Sequence, residues 1–310
     1  MSKLPAKAKC VVIGAGIVGN GMVYHLAKLG WKDIVQIDKG PLPNPGGSTG
    51  HASNFIFPVD HSKEMTAITA ESMRQYKEFG TFTETGGIEV ARSEERMQEL
   101  ARRITSAKSW GIEGGRILTP AEVKELVPYI DESIILGGYY QPTVGVVDSL
   151  RTGTIMREKA QEMGAAQSFA NVEVQDIKVE NGVVKAVVTD QGTIEAEYVV
   201  IATGCWSPKL AAMAGAHIPL TPAVHQMKDI GPVPFSKTPR VILNGQSFVT
   251  WMCSCMSANM ELDLRLVPML TVQFFTHQMT FLQMQLRLFL QQSLHLRKQI
   301  SISKMSMPMN

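Results

Sequence analysis

The chain has 310 residues, 45% of them apolar and 19% charged, with a net charge of +2, which is enough for one large or two ordinary domains with real cores. Lysines and arginines are interspersed with acids and form no basic block, so nothing points to nucleic acid. No run reaches the ~18 apolar residues of a membrane span, and Cys10, Cys205, Cys253 and Cys255 have neither metal-ligand nor disulfide-framework spacing, which fits a reducing compartment.

The start, MSKLPAKAK, is basic, but the apolar run that follows is cut short by glycines and is too brief for a signal-peptide core, so a cytoplasmic location is expected. The segment KCVVIGAGIVGNGMVYHLAKLGWKDIVQIDKG comes next. Cys10 to Ile13 reads as a buried strand, Val18 to Leu29 has helical periodicity, and Ile34 to Ile37 reads as a second strand. Gly14, Gly16 and Gly19 between them spell GxGxxG: the first for a tight turn, the second for close approach of backbone to a pyrophosphate, the third for helix–strand packing. Ile17 and Val18 open the helix, where free N–H groups and the dipole favour negative charge. Asp38, followed by Lys39, ends the second strand, where a carboxylate can accept hydrogen bonds from a ribose diol. This βαβ unit predicts a dinucleotide site without separating FAD from NAD.

The middle of the chain predicts a mixed α/β region. SEERMQELARRITSAKSWG reads as a helix capped by Ser93, and TPAEVKEL as one with Thr119 as N-cap, Pro120 at its first position and Glu122 closing a capping box. Farther on, NVEVQDIKVENGVVKAVVTDQGTIEAEYVVIATGCW offers three β-rich runs joined by turns at Asn181-Gly182 and Asp190-Gln191-Gly192. The last run, Tyr198 to Ala202, ends at Thr203-Gly204. A meander that returns through such a strand is the layout of flavoprotein folds and moves the reading toward FAD. The expected fold is therefore α/β: a Rossmann-like FAD/NAD(P)-binding fold with an interleaved mixed α/β substrate region, incomplete at its C-terminal side.

The loop KGPLPNPGGSTGHASNFIF, taken with VVIGAGIVG, SWGIEGGRILTPAEVKELVPYID, ILGGYYQPTVGVVD and IPLTPAVHQMK, resembles the FAD-dependent dimethylglycine and sarcosine oxidases and dehydrogenases, from about residue 8 to about residue 243. The resemblance implies that His51, preceded by Gly46, Gly47, Ser48 and Thr49, is bonded through a ring nitrogen to the flavin's 8α-methyl carbon. It also implies that His225 faces the substrate amine and that Val174 contacts the adenine end of FAD; Gly204 is placed with the cofactor. A neutral imidazole at His225 could take or hold the proton of an N-methyl amine before hydride leaves its methyl carbon. The implied reaction is oxidative N-demethylation of a small-molecule N-methyl amine, and the implied tetrahydrofolate step belongs to a C-terminal region of full-length relatives that this chain lacks. No residue is assigned to a metal, His25 and His61 match no motif, and neither the oligomeric state nor the electron acceptor is legible. A non-catalytic FAD-binding fragment and an unrelated NAD-binding oxidoreductase stand as alternatives.

Composition changes near residue 246. All 26 glycines precede it, whereas 9 of the 18 methionines follow it. An amphipathic helical tail, a disordered tail and a shifted reading frame are the competing readings. The genetic code favours the last: read from the third base of each codon, Trp251-Met252 must give Asp, Met252-Cys253 Val and Met260-Glu261 Gly. With permitted choices elsewhere, residues 251–273 can give DVLMYVREHGTGFKVGSYAHRP, which resembles the family's continuation. A tyrosine expected beside His225 would be encoded across Cys255 and Met256 in that other frame. The expected division is a family region over 1–245 and an out-of-frame, poorly ordered tail over 246–310, with poor solubility and impaired turnover as the consequence.

Overall fold

A computed structural model describes residues 3–222 except Ser53, Asp60, His61 and Tyr129. In chain order the strands and helices are β1 (Lys7–Ile13), α1 (Ile17–Lys28), β2 (Ile34–Ile37), β3 (Phe55–Ile56), α2 (Lys63–Glu78), β4 (Phe82–Glu84), β5 (Gly87–Ala91), α3 (Glu94–Ser109), β6 (Arg116–Leu118), α4 (Pro120–Leu126), β7 (Gly137–Gln141), β8 (Gly145–Val147), α5 (Ser149–Glu162), β9 (Ala166–Phe169), β10 (Val174–Glu180), β11 (Val183–Thr189), β12 (Gly192–Ile201) and α6 (Ser207–Met213). Short 3-10 turns fall at Ser48–His51, Glu132–Ile134 and Gly204–Trp206.

A six-stranded sheet in the order β10-β11-β12-β1-β2-β9 carries the fold. β12, β1, β2 and β9 run parallel, and the β10–β11–β12 meander is antiparallel. Strands covered on both faces need apolar residues at nearly every position; β2 is buried throughout and β1 from Cys10 to Ile13. Between β2 and β9 the chain leaves to build two small antiparallel sheets, β3-β8-β4 and β5-β7-β6. The α/β fold with an interleaved mixed region is thus the one expected from the sequence. Asn181 and Gly182, both with positive φ (51° and 75°), make the tight β10–β11 turn, the conformation that favours Asn-Gly in hairpins.

Helix starts follow their caps. The side chains of Ser62, Ser93, Thr119 and Asp148 each accept from the backbone N–H three residues on, and Thr119 and Glu122 form the reciprocal capping box. α1 differs: it begins at Ile17, one residue earlier than periodicity indicates, with Gly16 as an N-cap that has no side chain to cap with.

α3 lies on the β5-β7-β6 sheet. There Glu89, 7% exposed, pairs with the buried guanidinium of Arg103 at 2.6 Å and with Arg96, and Glu99 lies 3.5 Å from Arg103. Removing one partner of a buried pair strands the other's charge. Glu89→Gln is expected to lower the free energy of unfolding by about 3 kcal/mol; a urea midpoint equal to wild type would show the cluster to be energetically idle.

Candidate functional site

The carboxyl ends of β1, β2 and β12 converge. Gly14 N–H donates to the Ile37 carbonyl and Ala202 N–H to the Ile13 carbonyl, both at 2.8 Å. An open cavity lies over this point. Its lining includes Gly14, Gly16, Ile17, Val18, Asp38, Lys39, Gly47, Ser48, Thr49, Val174 and Gly204, residues drawn from fingerprint, loop and meander. Parallel α/β sheets place ligand crevices outside the carboxyl ends of their strands.

Asp38 is fixed there by two backbone donors. Its Oδ2 accepts from Ala15 N–H at 2.7 Å and its Oδ1 from Gly40 N–H at 2.8 Å. A carboxylate has about four acceptor positions, so both oxygens keep capacity for a diol. The start of α1 supplies the opposite polarity. α2, α3 and α4 each carry a glutamate in the first turn, whereas α1 has no acid in its first turn and has His25 and Lys28 in its last. The positive end of its dipole is therefore left for an external anion. The ammonium of Lys39, 5.6 Å from the centre of the Trp206 ring, and Lys209 add cationic groups to the wall.

The 46–51 loop is tied to this site from two sides. Thr49 Oγ1 accepts from Ile17 N–H at 3.0 Å, and Ser149 Oγ, at the start of α5, donates to the Thr49 carbonyl at 2.9 Å. Gly47 faces the Trp206 ring, which would sit 3.7 Å from a Cβ at that position. His51 ends the 3-10 turn as an exposed side chain whose Nδ1 lies 3.0 Å from the Gly47 carbonyl. Since a carbonyl only accepts, that nitrogen carries the proton in this bond.

Three of the expected cofactor residues do not line the cavity. Gly19 sits behind the 14–16 turn, Gly46 makes an open turn with φ of 84°, and His51 stands at the loop's far end. His225 and His61 lie outside the described residues, as does the whole of 246–310. His25 packs edge-on against Tyr24, with ring centres 4.8 Å apart, away from the cavity lining. Sequence reasoning did not single out Trp206, Lys209, Cys205 or the Val172-Glu173 connector, all of which line the cavity. Their signal was position alone, directly after ATG or before the meander. Among the described residues no three His, Cys, Asp or Glu side chains form a group able to hold a metal ion, and no helix is long and apolar enough to cross a membrane.

Residues 9–253 match the family model described as FAD dependent oxidoreductase, and the chain belongs to that family. It is 34% identical over 235 residues to the mitochondrial sarcosine dehydrogenase of Mus musculus, covering 72% of this chain and 25% of that protein. It is 28% identical over 227 residues to the mitochondrial dimethylglycine dehydrogenase of Homo sapiens, covering 71% and 26%. A third relative, the mitochondrial pyruvate dehydrogenase phosphatase regulatory subunit of Mus musculus, is 32% identical over 214 residues, covering 67% and 24%. The chain thus spans about a quarter of the length of these relatives. Among solved structures, L-proline dehydrogenase from P. horikoshii superposes with a TM-score of 0.62 at 32% identity, covering 68% of this chain and 57% of that one.

The cavity wall suits an FAD: small residues where backbone must approach, a fixed carboxylate, and a helix N-terminus with no acid in its first turn. Two cysteines report on it. Cys10 is buried in β1 and burial pushes its thiol up to about 12, which keeps it protonated and unreactive, whereas Cys205 is half-buried on the cavity wall. In native protein at pH 8, iodoacetamide is expected to label Cys205 and spare Cys10, with added FAD slowing the reaction at Cys205. Peptide mass spectrometry showing FAD-independent labelling of Cys205 would separate the cavity from FAD binding.

Proposed function

We propose that this chain derives from an enzyme that oxidises a small N-methyl amine of the sarcosine or dimethylglycine type, with FAD held covalently through His51. The observation that carries the reading is the cavity: fingerprint, 46–51 loop and meander meet around one glycine-walled space at the carboxyl ends of three parallel strands. When bound, FAD supplies the acceptor for a hydride. The protein's part is to bind and orient. The start of α1 takes the pyrophosphate, Asp38 takes the ribose diol, and Val174 lies toward the adenine end. The Nδ1–H of His51 is given to the Gly47 carbonyl, leaving Nε2 as the ring nitrogen with a lone pair for the flavin bond. His225, assigned by resemblance, holds the proton of the substrate amine so that its nitrogen lone pair is available as hydride leaves the methyl carbon.

A denaturing gel of the purified protein is expected to show a fluorescent flavin band that His51→Ala abolishes while reversible FAD binding persists. A protein that binds FAD reversibly but never covalently would remove the His51 assignment, and one that binds no FAD would remove the cofactor reading. Sarcosine and dimethylglycine, tested against proline, decide the substrate class. A non-catalytic FAD-binding role is the second reading, favoured by the relative named as a regulatory subunit; turnover of any amine by the frame-corrected protein would rule it out.

We further propose that residues 1–245 form the family region and that 246–310 are read out of frame. The forced codons and the composition shift support this. The chain as given is expected to be poorly soluble and to turn over slowly or not at all, and a gene restored to the other frame near codon 246 is expected to yield yellow, active protein. A soluble, active wild-type chain, or gene sequence that encodes residues 246–310 as given in independent reads, would sink the proposal.

A further inference from the structure

The side chains of Asn20, Gln36 and Ser168 line no part of the cavity, yet they form one hydrogen-bonded set beneath it, with Asn20 and Gln36 buried and Ser168 half-buried. Gln36 has no exposure and Asn20 is 3% exposed. Gln36 stands on β2 between Val35 and Ile37, where an aliphatic residue would satisfy the sheet. A primary amide in such a place is costly unless its donors and acceptor are all used, and here they are. Gln36 Nε2 donates to the Gly14 carbonyl at 3.2 Å and to Asn20 Oδ1 at 3.1 Å, while its Oε1 accepts from Ser168 Oγ at 2.9 Å. Asn20 Nδ2 donates to the Ala15 carbonyl at 2.9 Å.

The two carbonyls so held belong to the turn of the fingerprint. In a trans peptide the C=O and the next N–H point in opposite directions. A Gly14 carbonyl drawn down toward Gln36 turns the Ala15 N–H up, where it meets Asp38 at 2.7 Å. An Ala15 carbonyl drawn toward Asn20 turns the Gly16 N–H toward the cavity that Gly16 lines. Gly19 makes this possible, because a Cβ there would stand 2.0 Å from the Gly14 oxygen and 3.5 Å from Gln36 Nε2.

We propose that the buried amides of Asn20 and Gln36, with half-buried Ser168 behind them, are a brace that sets the peptide orientations of the 14–16 turn, and are thereby positioning residues for the diphosphate of FAD. The proposal rests on the reading that this cavity binds FAD. Loss of a bonded amide is felt as a turn free to rotate its peptides, so that ordering them falls to the moment of binding.

The test uses the full-length protein from the frame-restored gene with His51→Ala as background, so that free FAD binds reversibly, and adds Gln36→Met, Asn20→Ala, both together, and Ser168→Ala. Two readouts are taken: the Kd for FAD, and amide hydrogen exchange of residues 14–18 in protein without FAD. Gln36→Met and Asn20→Ala are each expected to weaken FAD about tenfold and to speed exchange in 14–18 by a similar factor while β9 and β10 keep theirs. The double variant is expected to fall short of the product, because the two amides are bonded to each other. Folded variants with wild-type Kd and wild-type exchange at 14–18 overturn the proposal, even if their unfolding midpoints drop. Should those variants fail to fold, Ser168→Ala carries the test, since it removes one bond to Gln36 and touches neither turn carbonyl. About threefold faster exchange confined to 14–18 supports the brace, and none overturns it. If the background protein binds no FAD, the cofactor reading fails by itself and the exchange readout still decides the brace.

Discussion

Backbone approaches backbone so closely at Gly14 that no side chain fits, and the remaining architecture is arranged around that contact. A Cβ on Gly19 would lie 2.0 Å from the Gly14 oxygen, and a Cβ on Gly14 would lie 2.3 Å from the Ala202 oxygen, with φ of 112° besides. β1, α1 and the end of β12 therefore meet through main-chain atoms. The floor of the cavity is made of peptide groups, which present dipoles of fixed direction. Such groups bind an anion without the entropy loss that long charged side chains incur.

The rest of the structure divides its polarity to suit that floor. β2 is buried throughout and aliphatic except at Gln36, and the helices that contribute no residue to the cavity wall satisfy their own first turns with serine, threonine, aspartate and glutamate. Among the described residues only α1 of the longer helices opens on glycine, with neither a side-chain cap of its own nor an acid in its first turn. The hydroxyl of Thr49 reaches its Ile17 N–H from the 46–51 loop. The loop that carries His51 is thereby keyed to the cofactor's helix by one hydrogen bond and to α5 by another.

Much of this was legible because local chemistry and global fold agree. Asn181-Gly182 can hardly be anything but a turn, the Thr119 capping box fixes its helix, and GxGxxG with a strand before it and an acid after it fixes the βαβ unit. What escaped sequence reasoning was set by contacts between distant segments. Trp206 and Lys209 join the cavity only because β12 lies beside β1, and no periodicity announces that. Gln36 read as one more residue in a strand, and its bonding to Asn20 and Ser168 depends on a register between β2 and β9 that only the folded sheet reveals. The last run of the meander is apolar in sequence, yet Tyr198 is 42% exposed and the three residues after it are half-buried, unlike their partners on β1. Among the described residues these positions of β12 pair with β1 alone, since the pairing with β11 ends at Glu195.

The sheet order also has a consequence in time. Lys7 pairs with Glu195, a separation of 188 residues, and the whole mixed region is spelled out between β2 and β9 before β12 exists. On a ribosome the fingerprint emerges first and waits for nearly two hundred further residues before its neighbour strand appears, at ~5–20 residues per second. For those roughly ten to forty seconds β1 is an apolar strand with an open edge, and the interval ends by a contact of high sequence separation, the slowest kind to form. A nascent chain of this design depends on being shielded while it grows, and any substitution that slows translation between β2 and β12 lengthens its exposure without altering a single contact in the finished fold.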